Sequence, residues 1–358
     1  MQAVILVGGE GTRLRPLTVT RPKPMMPLVD RPFVAHQLAH LVRHGIHDVV
    51  FSCGYRPDAL EAFFGDGTGF GVRLQYAVDP SPLGTAGAAA NAVPLFDHTD
   101  DVLVLNGDIL TDLDLVAFQA AHNAAGAQAS VALTPVRDPS AYGLVRLRED
   151  RSVAEFLEKP TPDQLIPGEP FLINAGTYLL SQEVIAMIPA GRASSIEREI
   201  FPKVAAQGGL FGYPSDAYWR DIGTPQSYLD AHKDVLSNNV STESTVRDAY
   251  LGPRTIVEDG ARVVDCASVG ADCVIAAGAQ VIGSVLGART RIGVNAYIED
   301  CVIGEGVEVG AGARLEGLVV VGDNAQIGET VSIVGPASID VGEIREVAVA
   351  DPAGKGHS

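Results

Sequence analysis

The chain has 358 residues, 46% of them apolar, and a net charge of −18 at neutral pH. That length suggests two domains with sizeable cores, and the acidity speaks against nucleic acid or an anionic membrane as partner. Four cysteines (Cys53, Cys266, Cys273, Cys301) form no CxxC pair, which fits thiols kept reduced as small core residues. An apolar run starts at once, with no basic leader and no 18-residue apolar span, so a cytoplasmic protein is expected.

Residues 1 to about 235 alternate short apolar runs with helical segments, the pattern of a doubly wound α/β sheet. Strands are expected at 4–7, 48–51, 74–76, 102–105, 130–135 and 175–180. The helix expected at 33–44 carries Val34, Leu38, Leu41 and Val42 on one face and closes on Gly45. His36, His40 and His44 fall opposite that stripe on a helical wheel. With no carboxylate among them, they read as a solvated face rather than a metal site.

The first strand runs into Gly8, Gly9 and Gly11, then Thr12, Arg13 and, ten residues later, Lys23. Closely spaced glycines let backbone N–H groups approach an anion, and arginine and lysine supply fixed charge for a polyphosphate. The spacing is neither GxxxxGK[ST] nor GxGxxG, which disfavours a P-loop ATPase and a dinucleotide oxidoreductase. Basic residues concentrate here: Arg13, Arg15, Arg21, Lys23, Arg31 and Arg43 stand against only Glu10 and Asp30 in the first 43 residues. Further on, the strand at 102–105 ends in Asn106-Gly107-Asp108, a carboxylate where α/β sheets place their ligands and a hard oxygen donor suited to Mg²⁺. Asp112 and Asp114 read as helix-start residues. In the run from Tyr218 to Pro225, YWRDIGTP, Thr224 and Pro225 also suit a helix N-terminus.

From Leu251 apolar residues recur every six positions, through Val257, Val263, Val269, Ile275 and Val281. The phase slips by one to Leu286, Ile292 and Ile298, and again to Ile303, continuing to Ile339. Such periodicity marks a β-solenoid of about five triangular coils over residues 251–345, with a polar tail at 346–358. No histidine lies between Leu251 and Arg345 to act as the base of an acyltransferase. The solenoid is expected to be a scaffold and a surface for homo-oligomerisation.

The run VILVGGEGTRLRPLTVTRPKPMMP, Val4 to Pro27, resembles the signature of the sugar-1-phosphate nucleotidyltransferases, GGxGTRLxPLT followed by PKP. PLGTAGA (Pro82 to Ala88), AFFGDG (Ala62 to Gly67), SIEREIFP (Ser195 to Pro202) and the hexapeptides look like the mannose-1-phosphate guanylyltransferase branch. The resemblance implies a Rossmann-like α/β domain with a mixed sheet at 1–240, followed by a left-handed parallel β-helix. It implies Mg²⁺-dependent transfer from GTP to mannose 1-phosphate, with GDP-mannose and pyrophosphate as products. Arg13, Lys23, Asp108 and Asp221 would be the catalytic residues, the two aspartates as metal ligands. Leu6, Gly8, Gly9, Gly11, Thr12, Arg13, Pro82, Gly84, Thr85 and Asn106 would bind the nucleotide. Gly143 (of the family's Tyr-Gly pair, here Tyr142-Gly143), Glu158, Asn174 and Gly176 would hold the sugar, and Lys159 its phosphate. All precede Pro225, which leaves the solenoid no direct part in the chemistry. Three other readings stay open: another nucleotide (dTTP, UTP or ATP) with glucose 1-phosphate, guanylyl transfer to a cyclitol phosphate, and a non-catalytic regulatory subunit that binds nucleotide sugar.

Overall fold

The computed structural model describes residues 1–54, 57–79, 81–97, 100–166, 168 and 171–346. The polar tail expected at 346–358 lies, from residue 347 on, outside the described residues. Two compact units form, one from Met1–Gly9 with Val34–Trp219, the other from Glu10–Phe33 with the chain from Arg220 onward. No helix among the described residues is long and apolar enough to cross a membrane.

The first unit is built on β1 (Gln2–Leu6), α1 (Phe33–Arg43), β2 (Asp48–Cys53), β3 (Arg73–Val78), α2 (Gly84–Ala92), β4 (Val102–Asn106), α3 (Leu115–Ala125), β5 (Ala129–Val136), β6 (Gly143–Leu147), β7 (Val153–Glu158), β8 (Phe171–Leu180) and β9 (Leu210–Pro214). The sheet runs β7-β6-β8-β4-β1-β2-β3, with β5 pairing β8 and β9. β4, β1, β2 and β3 are parallel, whereas β8 runs antiparallel to β4, so the sheet is mixed as expected. Central strands covered on both faces must be apolar throughout, which is why Ala3–Ile5 and 102–105 are unbroken apolar runs.

The histidine face of α1 differs from the expectation. His36 and His40 are 4% and 3% exposed and line a small internal gap with Asn106, Ile109 and Thr177. The intervening Gln37 donates through Nε2 to the carbonyls of Asn106 (2.9 Å) and Ile109 (3.0 Å), drawing that side of the helix inward. Burial pushes the His40 imidazole down to about 3, so it is held neutral. Only His44 stays near the surface, its Nδ1 donating to the His40 carbonyl at 2.9 Å. A helical wheel locates the first covered face and is blind to a second.

In the second unit three parallel sheets of two- and three-residue strands form a prism, the arrangement expected of the left-handed β-helix. Val269, Ile275, Val281, Leu286, Ile292 and Ile298 stack in its interior with the later periodic residues. At one corner Arg254, Asp272, Arg289, Gly306 and Asn324 follow one another coil by coil with φ of 59° to 64°, the left-handed backbone a tight turn requires. The outer face of one sheet, in the register Tyr250, Ser268, Val285, Val302, Val320 and Ser338, is apolar at its centre. There the buried Val285, Val302 and Val320 pack against Leu14, Leu17 and Met26 of the glycine-rich segment and Tyr228 of α4 (Pro225–Leu236). Burying one such side chain contributes about 1.5–3 kcal/mol. The solenoid therefore carries part of the segment read above as phosphate-binding, which the hexapeptide pattern does not reveal.

Cys53, Cys273 and Cys301 are buried, and burial raises their thiols, those of Cys53 and Cys301 to about 12. Cys266, on the solenoid, is partly exposed, with Sγ 3.1 Å from Ser237 Oγ.

Candidate functional site

In the first unit the C-terminal ends of β1, β2 and β4 converge. Val7 N donates to Ser52 O at 2.9 Å, and Gly107 N to Leu6 O at 3.0 Å. The approach tolerates no side chain: a Cβ on Gly8 would lie 2.8 Å from Gly54 N, and one on Gly107 2.5 Å from Leu6 O. Asn106 and Asp108 flank Gly107, so the sheet delivers Asp108 to the strand ends where α/β folds bind ligands.

The PLGTAGA turn is pinned to the 194–197 stretch. Gly84 adopts φ +66°, and a Cβ there would meet Ser194 O at 2.5 Å. Ala86 N donates to the same carbonyl at 3.0 Å, and Ser194 N donates to Leu83 O at 2.9 Å. Thr85 uses its hydroxyl internally, donating to Glu197 Oε2 (2.8 Å) and accepting from Ile196 N (2.9 Å).

Gly143 and Glu158 are paired across β6 and β7, and Asn174 and Gly176 lie on the adjoining β8. Asn174 Oδ1 accepts from Gly176 N at 2.9 Å, while its Nδ2 donates to Tyr178 Oη at 2.9 Å. Gly176, at φ +71°, leaves room for Asn106, whose Nδ2 would sit 2.7 Å from a Cβ there. Glu158 Oε1 lies 3.7 Å from Arg198, and Lys159 adopts the left-handed φ of +51° with its amide donating to Tyr142 O. Three strands thus bring four of the five expected sugar-phosphate residues into neighbouring registers, with Lys159 next along the chain.

Two residues here escaped the sequence reading. The fully buried Tyr178 donates to Glu197 Oε1 at 2.9 Å, so Glu197 joins the Asn174 strand to the Thr85 turn. Burial, reinforced by the Glu197 charge, holds the Tyr178 phenol well above its usual range, so it remains a donor. Glu197 lies within SIEREIFP, but only the tertiary fold shows what it bridges. Asp112 is a smaller correction: its Oδ1 accepts from Tyr218 N at 2.9 Å, fixing the start of the YWRD strand, while Asp114 alone caps α3.

The second unit assembles Arg13, Lys23 and Asp221. Gly11, at φ +64°, opens the turn Thr12–Leu14, and Thr18 Oγ1 donates to its carbonyl at 2.8 Å. Asp221 Oδ2 lies 3.5 Å from Arg13 Nη2, and Oδ1 lies 4.0 Å from the nearly buried Lys23 Nζ. Gly223 N donates to Asp221 Oδ1 at 2.7 Å, and Thr224 and Pro225 then start α4 with a capping box. The motif therefore serves both readings at once: a fixed carboxylate and a helix start. Asp108 in the first unit and Asp221 in the second each carry a carboxylate, the hard oxygen donor that suits Mg²⁺.

The family profile described as Nucleotidyl transferase matches residues 2–238. The chain belongs to the nucleotidyl transferase family. A second profile, the GMPPB C-terminal domain, matches residues 245–350 over the solenoid. A mannose-1-phosphate guanylyltransferase of Mycobacterium tuberculosis is 38% identical over 322 residues, covering 88% of this chain and 83% of that protein. Mannose-1-phosphate guanylyltransferase 1 of Arabidopsis thaliana is 33% identical over 344 residues, covering 92% and 93%. Among solved structures, a putative glucose-1-phosphate thymidylyltransferase from Bacillus anthracis aligns with a TM-score of 0.59 at 26% identity, over 68% of this chain and 98% of that one. This nucleotidyltransferase thus has the family and the fold that its glycine-rich signature and hexapeptides predict.

Proposed function

We propose that this enzyme transfers the guanylyl group of GTP to mannose 1-phosphate, forming GDP-mannose and releasing pyrophosphate. The observation that carries the choice of substrates is similarity to guanylyltransferases over about nine-tenths of the chain, with PLGTAGA in the turn whose Pro82, Gly84 and Thr85 are read as nucleotide-binding. A phosphate oxygen of the sugar phosphate attacks the α-phosphorus, and the bond to the bridging oxygen breaks, its electron pair leaving with pyrophosphate. A phosphomonoester with a second pKa near ~6 is already mostly dianionic, so no general base is needed and the protein's contribution is positioning and electrostatics.

In this reading the amides of the turn at 8–11 and Arg13 hold the triphosphate, and Lys23 offsets charge at the α-phosphate. Leu6, Thr12, Pro82, Gly84, Thr85 and Asn106 complete the nucleotide site, the Thr85 hydroxyl acting through the turn it braces. Gly143, Glu158, Asn174 and Gly176 hold the sugar, and Lys159 its phosphate. Asp108 and Asp221 are the residues that would hold Mg²⁺, which when bound supplies Lewis-acid charge at the phosphates. Residues 1–240 serve as the catalytic domain and 251–345 as the solenoid.

A matrix of nucleoside triphosphates against sugar 1-phosphates, followed by pyrophosphate release, tests the reading. GTP with mannose 1-phosphate is expected to exceed dTTP, UTP and ATP by at least about tenfold in kcat/KM, roughly 1.4 kcal/mol of differential binding. A preference for dTTP or UTP with glucose 1-phosphate would overturn it.

The solenoid also supports a homo-oligomer. Its first coil leaves Leu251, Ile256 and Val257 exposed by 49%, 56% and 37%, although terminal repeats of free solenoids usually present a polar outer face. Light scattering of the full chain is expected to give a mass above one chain, reduced by Ile256→Lys with Val257→Lys. A monomeric wild type would end this assignment.

A further inference from the structure

The segment at 10–33 carries Arg13 and Lys23 and meets the solenoid through a polar cluster around Asp323 and Glu305 as well as through apolar packing. Asp323, 6% exposed, accepts from Glu305 N through Oδ1 at 2.7 Å, which aims Oδ2 at the segment. Oδ2 accepts from Thr20 Oγ1 at 2.5 Å and lies 3.5 Å from Arg21 Nη2. Arg21 Nη2 also pairs with Glu305 Oε1 at 2.6 Å, and Glu305 Oε2 with Arg289 at 2.6 Å. Asp323 and Glu305 follow Gly322 and Gly304, the same place on successive coils, so two coils grip one dipeptide.

Thr20–Arg21 lies between the turn Thr12–Leu14, which holds Arg13, and the turn Lys23–Met25. The apolar packing below is incomplete, because a crevice of about 230 Å³ opens beside Met26, Tyr228, Val285 and Val302. Apolar contact is non-directional and tolerates sliding, whereas buried charge-assisted hydrogen bonds fix a position.

We infer that Asp323, with Glu305, is a positioning group for nucleotidyl transfer: the solenoid sets the reach of Arg13 and Lys23 by clamping Thr20–Arg21. The inference rests on the reading that Arg13 and Lys23 engage the triphosphate. It gives the solenoid a part in the reaction beyond that of a scaffold, without making any of its residues touch substrate.

The test uses the full chain with Asp323→Ala, Thr20→Val, Thr20→Ser and Arg13→Ala. A misplacement of 1 Å can cost about 10²-fold, so Asp323→Ala and Thr20→Val are each expected to lower kcat/KM for GTP by about tenfold or more. KM for mannose 1-phosphate should stay near wild type, and Thr20→Ser, which keeps the hydroxyl, should restore activity. Hydrogen exchange should rise at residues 11–25 in both loss variants while the solenoid coils stay protected. Wild-type kcat/KM for GTP in Asp323→Ala and Thr20→Val overturns the inference. So does an exchange increase spread over the whole solenoid with equal damage toward both substrates. If Arg13→Ala is impaired while the clamp variants are normal, this inference falls alone; if Arg13→Ala is also normal, the triphosphate reading falls with it.

Discussion

Asp221→Asn and Asp108→Asn are each expected to cut kcat by about 10²–10³-fold, the usual loss when one preorganised electrostatic contact is removed from a transition state. Asparagine keeps the shape of the side chain and can still accept from Gly223 N, now at 2.7 Å from Asp221 Oδ1. The change therefore removes charge while sparing the fold. If the two carboxylates share one Mg²⁺, the double variant will be little worse than either single one, because groups acting as a unit are not additive. Turnover of the wild type should likewise vanish in EDTA and return with added Mg²⁺. Full activity in either single variant, or in EDTA, would dismiss the shared-metal assignment.

Gly107→Ala is expected to damage both stability and rate. Its Cβ would sit 2.5 Å from Leu6 O and 3.1 Å from Leu6 C, and backbone atoms in the parallel part of the sheet have no rotamer through which to escape. Forcing an extra methyl into close packing costs about 1–3 kcal/mol. The relief available is to part the ends of β1 and β4, which displaces Asp108 and should lower kcat by about 10²-fold. Gly69→Ala is the matched control, since nothing lies within 4 Å of a Cβ there and its φ is not positive. Thermal melting and pyrophosphate release on both variants decide the matter. A Gly107→Ala enzyme that melts and turns over like wild type would show that the strand ends are slack.

Much of this was legible in the sequence because its cause is local. The expected core strands occur, some with ends a few residues off, since central parallel strands must be apolar on both faces. The solenoid was readable because each coil repeats the same inward position. What escaped depends on tertiary contact. The burial of His36 and His40 requires knowing that a second layer covers α1. Glu197 is a plain acid in a helical run until Tyr178 and Thr85 are seen at its two oxygens. The outward valines at 285, 302 and 320 did leave a trace, because a valine precedes the periodic residue at 286, 303 and 321. Three such pairs on one face of a repeat leave an outward apolar row that needs cover, and a template that scores only the inward residue discards them.

The cysteines give the molecule an unplanned practical property. Alkylating reagents attack the thiolate, and burial suppresses that form at Cys53, Cys273 and Cys301 while also barring the reagent. Cys266 stands apart as the partly exposed thiol on the solenoid, beside Ser237 at the end of α4. A maleimide dye therefore goes to one defined address without any engineered background, and emission from that address follows the solenoid while nucleotide is titrated in.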